Sequence, residues 1–177
     1  MSIRKLKEYL GINPNDNLSL QDKLKENVYQ EKYGCYIAGP WFNKEQEKNN
    51  NEIIKTVESY GINCFKPRYD AGEATDGPLT LEKAIDLFNA DLEGLKKAHC
   101  IIADITDYGK GRDVGTAIEI GYMAALNKPI IIIDFSKNKK SNVMIAGVAK
   151  AYIRTTEELI DWFEGNDVMH IDDEELE

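Results

Sequence analysis

The stretch HCIIADITDYGKGRDVGTAIEIGYMAALNKPIIIID, residues 99–134, indicates the fold of this chain. Its two apolar runs, HCIIAD and IIIID, are typical of strands that are buried on both faces. The segment GTAIEIGYMAALN between them is predicted to be a helix. A strand, a helix and a second strand of this kind form a βαβ unit, in which the two strands run parallel.

Short apolar runs and helical segments alternate on both sides of this stretch. The other predicted strands are CYIA, INCF and the AYI around Tyr152. Further helical segments are NKEQEKNNNEIIKTVESY, LEKAIDLFNADLEGLKKA and TTEELIDWF. This alternation predicts an α/β fold, a flavodoxin-like doubly wound five-stranded parallel sheet with an N-terminal helical extension. Ligands bind such sheets at the carboxyl ends of the strands, here the loops after Ala38, Phe65, Asp104 and Asp134.

Composition divides the chain into three parts. Residues 1–34 are predicted to form the N-terminal helical extension, in which Ser2 caps IRKLKEYL and QDKLKENVYQ makes a second helix. Residues 35–163 form the α/β domain. Residues 164–177, EGNDVMHIDDEELE, are an acidic C-terminal tail that we expect to be loose or to dock on a neighbouring subunit.

Composition and charge argue against several classes of partner. The chain has 177 residues, 42% of them hydrophobic, which is enough for one domain with a core. Its net charge is −9 and its basic residues form no patch, so we expect no nucleic-acid partner. The longest apolar run, residues 129–133, is far too short to span a membrane. Two histidines and three scattered cysteines favour no metal site, no cofactor and a reducing, cytoplasmic location.

Two carboxylates in predicted helices have unusual surroundings. Glu119 follows Gly115, where its helix begins, so the helix N-terminus is expected to favour the charged form. Asp91 lies three residues after Phe88 and four after Leu87, on the apolar stripe of its helix, where desolvation raises the pKa of a carboxyl group. Simpler interpretations stay open: Glu119 stabilises its helix, and Asp91 reaches solvent at the edge of the stripe.

A charged carboxylate beside a protonated one is the arrangement that retaining glycosyl transfer uses. The charged group attacks as a nucleophile, and the protonated group acts as a general acid. Asp113, six residues before Glu119, adds a third carboxylate, which either caps the helix or belongs to the site.

The segments after the first and fourth strands offer binding groups. In YIAGPWF, residues 36–42, Gly39 and Pro40 turn the chain, and Gly39, Trp41 and Phe42 are the predicted substrate-binding residues. The two aromatic rings suit a planar base, unless they only pack in the core. In SNVMIA, residues 141–146, the amide of Asn142 can bind a hydroxyl group. GKGRD, residues 109–113, lacks the spacing of a phosphate-binding loop.

These segments together resemble the nucleoside 2-deoxyribosyltransferase family over residues 36–146. YIAGPWF resembles the family's first-strand motif, and FNADLEGLKKAHCIIADI resembles its Asp-bearing helix and third strand. DVGTAIEIGY resembles the nucleophile segment, and SNVMIA resembles an Asn-x-Met segment. Four motifs in the family's order make the resemblance specific, although residues 1–34 lie outside the usual pattern.

The resemblance implies roles for the matching residues. Glu119 attacks C1′ of the sugar, Tyr36 orients Glu119, and Asp91 protonates the leaving base. The residues implied to bind substrate are Asp113 at the base, Asn142 from a neighbouring subunit at the 5′-hydroxyl, and Met144 beside the site. The family's substrates are deoxynucleosides and free nucleobases, the configuration is retained, and the enzyme is expected to be a homo-oligomer built from dimers, up to a hexamer.

Two other functions compete with this interpretation. A hydrolase of deoxynucleoside monophosphates has a similar fold and glutamate, but it carries a serine six residues before the glutamate. Here that position holds Asp113, whose charge would repel phosphate. A non-catalytic nucleotide-binding domain would not need Glu119, Asp91 and Tyr36 together. The sequence leaves open whether purines alone or pyrimidines as well are exchanged.

Overall fold

A computed structural model describes residues 33–72, 78–136 and 140–177. Its elements, in chain order, are β1 Tyr33–Ala38, α1 Lys44–Ser59, β2 Cys64–Phe65, α2 Pro67–Asp70, α3 Leu81–Lys97, β3 Ala98–Asp104, α4 Val114–Ala125, β4 Ile130–Ile133, α5 Val143–Val148, β5 Ala151–Ile153, α6 Thr156–Phe163 and a 3₁₀ turn at Asp173–Glu175. The helices predicted for residues 1–32 lie outside the described residues. Strand β1 begins at Tyr33, two residues before the predicted domain boundary.

The five strands form one parallel sheet in the order β2-β1-β3-β4-β5. This is the flavodoxin-like order, and helices cover both faces, which confirms the predicted fold class. The chain reverses its direction of winding at β1, so β1 and β3 are neighbours whose following helices lie on opposite faces. Their carboxyl ends therefore open a crevice at the point where doubly wound sheets bind ligands.

Alternate side chains of β1 enter two different cores. Cys35 and Ile37 pack on the face that α1 and α6 cover. Tyr36 and Ala38 pack on the opposite face, with core residues of α3 and α4. Because side chains alternate along a strand, this register places Tyr36 on the same face as the helices that carry Asp91 and Glu119.

Side-chain caps set the starting points of the helices around this sheet. The side chains of Asn43, Thr80 and Asp113 accept hydrogen bonds from the first backbone N–H groups of α1, α3 and α4. Thr155 and Glu158 form a capping box at the start of α6. These caps satisfy N–H groups that have no partner within the helix, and they hold the helix ends at the carboxyl edge of the sheet.

The C-terminal tail, residues 164–177, packs against its own chain. Val168 is buried, and Met169 forms a bridge to Tyr152 beside the edge strand β5. Further along, Leu176 bridges to Ser141, and Glu175 forms an ion pair of 2.9 Å with Arg154. The expectation of a loose tail was therefore wrong, because the tail packs against the edge of β5 and against Ser141 of its own chain. Among the described residues, no helix is both long and apolar enough to cross a membrane.

Gly94 of α3 has no room for a larger side chain. A Cβ atom at this position would lie 2.6 Å from the ring of Phe65, which itself stacks on Tyr36 with ring centroids 5.3 Å apart. We expect Gly94→Ala to lower the free energy of unfolding by about 1–3 kcal/mol, because the clash outweighs the better helix propensity of alanine. Urea denaturation measures the change. In a Phe65→Leu background the same substitution should cost clearly less, and an equal cost in both backgrounds would contradict the clash.

Candidate active site

Tyr36 and Glu119 meet at the carboxyl end of β1. The completely buried Tyr36 donates a hydrogen bond of 2.5 Å from its hydroxyl group to Oε1 of Glu119. Glu119 is the sixth residue of α4 and is partly buried. The two residues are 83 positions apart in the chain, and the packing of α4 against the sheet brings them together.

Asp91 joins this pair from α3, which packs beside α4. Its carboxyl group interacts with the hydroxyl of Tyr36, and its Oδ1 atom is buried without a hydrogen-bond partner among the described residues. The structure thus brings together the three residues that the sequence analysis proposed as catalytic. A buried oxygen without a partner is costly, so a ligand that supplies a hydrogen bond at Asp91 is favoured.

Burial raises the pKa of both carboxyl groups in this group. The pKa of Asp91 rises to about 6, mainly through desolvation, which the bond to Tyr36 partly offsets. Desolvation also raises the pKa of Glu119 to about 8; the Tyr36 bond lowers it, and the charges of Asp91 and Asp113 raise it further. Burial next to these carboxylates raises the pKa of Tyr36 well above its usual value, so its hydroxyl stays a donor.

One electrostatic expectation was wrong. The helix N-terminus was expected to keep Glu119 ionised, but Glu119 lies in the second turn of α4, where the effect of the helix end has faded. Desolvation outweighs it and favours the protonated form. The raised pKa predicted for Asp91 is confirmed in direction. The charged form of Glu119 is stabilised by the hydroxyl group of Tyr36 and not by the helix N-terminus.

Asp113 both caps α4 and lines a cavity. Its Oδ2 accepts hydrogen bonds from the backbone nitrogen of Thr116 at 2.7 Å and from its hydroxyl at 2.8 Å. Its other carboxylate oxygen has no partner among the described residues. The cavity beside it measures about 410 Å³, and Phe42, with 82% of its surface exposed, forms part of the wall. A cavity of this size, with an aromatic ring and a carboxylate in its wall, can hold a nucleobase.

The turn after β1 has separate roles for its glycine and its two aromatic residues. Gly39 lies so close to α1 and β3 that a Cβ would be 2.6 Å from Oδ1 of Asn50. Trp41 packs against the core on the α1 face, and its ring meets Tyr69 edge-on at 5.9 Å. The simpler interpretation, core packing, therefore holds for Trp41, whereas Phe42 faces the cavity. Gln46 fixes the turn by accepting a hydrogen bond of 2.8 Å from the backbone nitrogen of Phe42.

Asn142 and Met144 lie apart from Tyr36, Asp91 and Glu119. Oδ1 of Asn142 caps α5 by accepting from the backbone nitrogen of Met144 at 2.9 Å, which leaves its amide nitrogen free to donate. Both side chains are exposed, Met144 to 74%. Among the described residues no hydrogen bond joins either of them to Tyr36, Asp91 or Glu119. Both side chains are therefore accessible to a ligand or to a second subunit.

The sequence analysis missed two buried aspartates at the same sheet edge. Asp104 ends β3 and accepts a hydrogen bond of 2.5 Å from Tyr108, and Asp134 follows β4 and binds Arg112 and Arg154 at 3.0 Å each. The signal that could have found them is an aspartate at the end of each apolar run, HCIIAD and IIIID. In the part of the chain that the structure describes, no group of three or more His, Cys, Asp and Glu side chains is suited to a metal ion.

Fold and site together indicate the class of this protein: it is an α/β protein with two carboxyl groups beside a buried tyrosine, an arrangement that suits an enzyme. Comparison with known proteins then narrows the class. The family model described as nucleoside 2-deoxyribosyltransferase matches residues 35–172, which is most of the chain. The chain therefore belongs to the nucleoside 2-deoxyribosyltransferase family.

Individual relatives agree with this assignment. A nucleoside deoxyribosyltransferase of Limosilactobacillus fermentum is 29% identical over 124 residues, covering 63% of this chain and 73% of the relative. The solved structure of the 2-deoxyribosyltransferase from Bacillus psychrosaccharolyticus, a biocatalyst for the synthesis of antiviral and antitumoral nucleosides, aligns with a TM-score of 0.64 at 29% identity, over 75% of this chain and 91% of that one. The 2-deoxyribosyltransferase of Leishmania mexicana shares the fold, with a TM-score of 0.52, 19% identity and coverage of 75% and 97%.

Proposed function

We propose that this enzyme transfers the 2-deoxyribosyl group between nucleobases with retention of configuration, through a covalent deoxyribosyl–Glu119 intermediate. The observation that supports this most directly is the 2.5 Å bond between Tyr36 and Glu119, with Asp91 on the same hydroxyl. Its substrates are then deoxynucleosides and free nucleobases, as in nucleoside salvage. The three cysteines are buried thiols, which fits the reducing cytoplasm.

The first half of the reaction breaks the bond between C1′ and the base. Asp91 donates its proton to the base, which leaves with the electron pair of the C1′–N bond. A carboxylate oxygen of Glu119 forms a bond to C1′ on the opposite face of the sugar. Tyr36 holds the other oxygen of Glu119 and fixes its orientation. The raised pKa values serve this step, because near neutral pH the two carboxyl groups share one proton, and the reactive form is the one in which Asp91 carries it.

The second half reverses these steps with a different base. A nitrogen of the incoming base attacks C1′, Glu119 leaves as a carboxylate, and Asp91 takes up the proton that the nitrogen loses. Two inversions at C1′ give overall retention. Between the two half-reactions, the released base leaves the cavity beside Phe42 and Asp113, and the incoming base enters it. The cavity must therefore be open to solvent.

Base exchange can be tested directly against hydrolysis. Thymidine and free adenine are mixed with the enzyme, and deoxyadenosine is measured by chromatography; deoxyinosine with adenine covers an enzyme that accepts purines only. Transfer predicts deoxyadenosine in at least one mixture. Release of the base without deoxyadenosine in both mixtures would support the hydrolase instead.

Deoxynucleosides should also be far better substrates than their 5′-monophosphates, because the charge of Asp113 repels phosphate.

Tyr36→Phe removes the hydroxyl group that stabilises ionised Glu119. We expect kcat/KM at neutral pH to fall about tenfold or more, the loss typical of one charge-assisted hydrogen bond. Because the bond lowers the pKa of Glu119, its loss should also move the acid limb of the pH–kcat/KM profile to higher pH. Tyr108→Phe is the matched control, since it removes a 2.5 Å bond between a tyrosine and the carboxylate of Asp104. A limb that moves equally in both variants would contradict this role of Tyr36.

We further propose that the enzyme is a homo-oligomer built from dimers with shared active sites. Exposed apolar side chains lie at i, i+4 and i+7 on α3, as Leu81, Ile85 and Phe88. On α4, exposed Val114 and Ile118 are followed at the same spacing by Gly121, where a Cβ would meet nothing within 4 Å of its own chain. Two such stripes favour burial against a second subunit. Asn142 and Met144, both exposed, are then available to a neighbouring site.

Subunit mixing tests this arrangement. Glu119→Ala and Asn142→Ala are each expected to be nearly inactive alone. If Asn142 serves the neighbouring site, a mixed dimer has one site with both defects and one with neither, so refolding the two variants together should restore part of the activity. Refolding each variant with itself is the control. No recovery, despite mixed oligomers detected by mass, would place Asn142 in its own subunit's site or outside the site.

A further inference from the structure

Asp134 is a completely buried carboxylate just after β4 that lies outside the proposed chemistry. It accepts hydrogen bonds from four groups in separate parts of the chain: the backbone nitrogen of Ser136 at 3.0 Å, the hydroxyl of Tyr152 at 2.9 Å, Nη2 of Arg112 at 3.0 Å and Nη1 of Arg154 at 3.0 Å. Its single negative charge thus faces two guanidinium groups that are themselves mostly buried.

The first arm of this cluster holds the loop before α4. Arg112 donates to Asp134 and also to the backbone carbonyl of Lys140. The next residue is Asp113, which caps α4 and lines the nucleobase-sized cavity. The ion pair therefore fixes the loop from which Asp113 enters the site.

The second arm holds the segment that carries Asn142. The hydroxyl of Tyr152 donates to Asp134 and lies 2.8 Å from Oγ of Ser141, which can donate to it in turn. Ser141 is completely buried and directly precedes Asn142. Its position is fixed further by the tail, since its backbone nitrogen donates to the carbonyl of Glu175 at 2.7 Å.

The third arm holds the C-terminal tail. Arg154 bonds to Asp134 with one nitrogen and to Glu175 with the other, at 2.9 Å, while its guanidinium lies over the ring of Tyr152 at 4.7 Å. The C-terminal tail therefore packs over the segment of Ser141 from the other side. One carboxylate connects the segments that follow β3, β4 and β5.

We propose that Asp134 is a positioning residue that sets the placement of Asn142 relative to Asp113, and so couples the recognition of the 5′-hydroxyl group to the recognition of the base. This inference rests on the proposed function for the roles of Asn142 and Asp113. In a shared-site oligomer, Asp134 links a subunit's own base-binding loop to the sugar-binding group that it lends to its neighbour. An asparagine keeps the shape of Asp134 but removes the charge that both guanidinium groups face, which leaves Arg154 with Glu175 and Arg112 with the carbonyl of Lys140, so the arms separate.

The test compares a deoxynucleoside with its 2′,5′-dideoxy analogue. The ratio of kcat/KM for deoxyinosine to that for 2′,5′-dideoxyinosine measures recognition of the 5′-hydroxyl. Both rates are measured as the release of hypoxanthine, with adenine as the acceptor. Tyr152→Phe cuts only the arm to Ser141, and Asp134→Asn disrupts all three. We expect the ratio to fall about tenfold in both variants, the loss of roughly one hydrogen bond.

Asp104→Asn is the matched control, because Asp104 is also a completely buried aspartate at the end of the neighbouring strand. Asp104 accepts hydrogen bonds from the backbone nitrogen of Thr106 and the hydroxyl of Tyr108, and Asp104→Asn should keep the wild-type ratio even if its rate falls. If Asp134→Asn does not fold, Tyr152→Phe, which keeps both ion pairs, decides the question. A ratio that stays at the wild-type value in the folded variants overturns the proposal, because a purely structural role would lower kcat/KM equally for both substrates.

The same assay separates this inference from the proposed function. Wild-type enzyme that releases hypoxanthine without forming deoxyadenosine would overturn base exchange. The ratio would still be measurable from base release, and its loss in Tyr152→Phe would still support the positioning role of Asp134.

Discussion

Replacing Glu119 by alanine should abolish base exchange. Loss of a covalent nucleophile removes the intermediate itself, so kcat is expected to fall by a factor on the order of 10⁴ or more. Glu119→Gln should be nearly as inactive, because it keeps the shape and the bond from Tyr36 but cannot attack C1′. The measurement is the formation of deoxyadenosine from deoxyinosine and adenine, over a wide range of enzyme concentration.

The covalent intermediate itself offers a second readout. Incubating wild-type enzyme with deoxyinosine and no acceptor should add the mass of a deoxyribosyl group to the peptide that contains Glu119. Glu93→Ala is the control, since Glu93 is an exposed glutamate on α3 that pairs with Lys96 and Lys97. Near-normal turnover in Glu119→Ala, or an adduct on another residue, would rule out this nucleophile.

Asp91→Asn should impair the reaction in proportion to how badly the base leaves. An amide cannot deliver a proton, and a positioned general acid is worth about 10²–10⁴ in rate. The loss should be largest for bases that need protonation and smallest for activated bases that leave as stable anions. A series of deoxynucleosides with bases of graded acidity measures it. An equal loss across the series would mean that Asp91 binds substrate without acting as the acid.

The same variant should change the pH profile. Asp91 and Glu119 titrate as a coupled pair with values near 6 and 8, so the form with one shared proton dominates between them. That form has one carboxylate to attack and one acid to donate, which predicts a bell-shaped kcat/KM profile with limbs in these regions. In Asp91→Asn the alkaline limb should vanish. The remaining limb should report Glu119 alone and lie below about pH 8, because the charge of Asp91 no longer raises the pKa of Glu119.

The sequence by itself determined the architecture of the fold and the set of residues proposed for the site. Apolar runs of strand length alternating with helices are a local pattern, and a parallel doubly wound sheet is the arrangement that buries all of them. The position of Asp91 on an apolar helix face was also local information, because helical periodicity alone places it beside Phe88 and Leu87. The direction of its pKa shift could therefore be predicted without a structure, although Phe88 itself is 55% exposed.

Only the tertiary structure decided how these groups act on one another. The bond between Tyr36 and Glu119 depends on the register of β1 and on the packing of α4, which join residues 83 positions apart. The raised pKa of Glu119 followed from burial by other elements, which outweighed the effect of the helix N-terminus that the sequence predicted. The division of roles between Trp41 and Phe42, the docking of the tail and the cluster around Asp134 likewise depend on contacts between distant segments. Local periodicity cannot specify such contacts, because they depend on how whole elements pack.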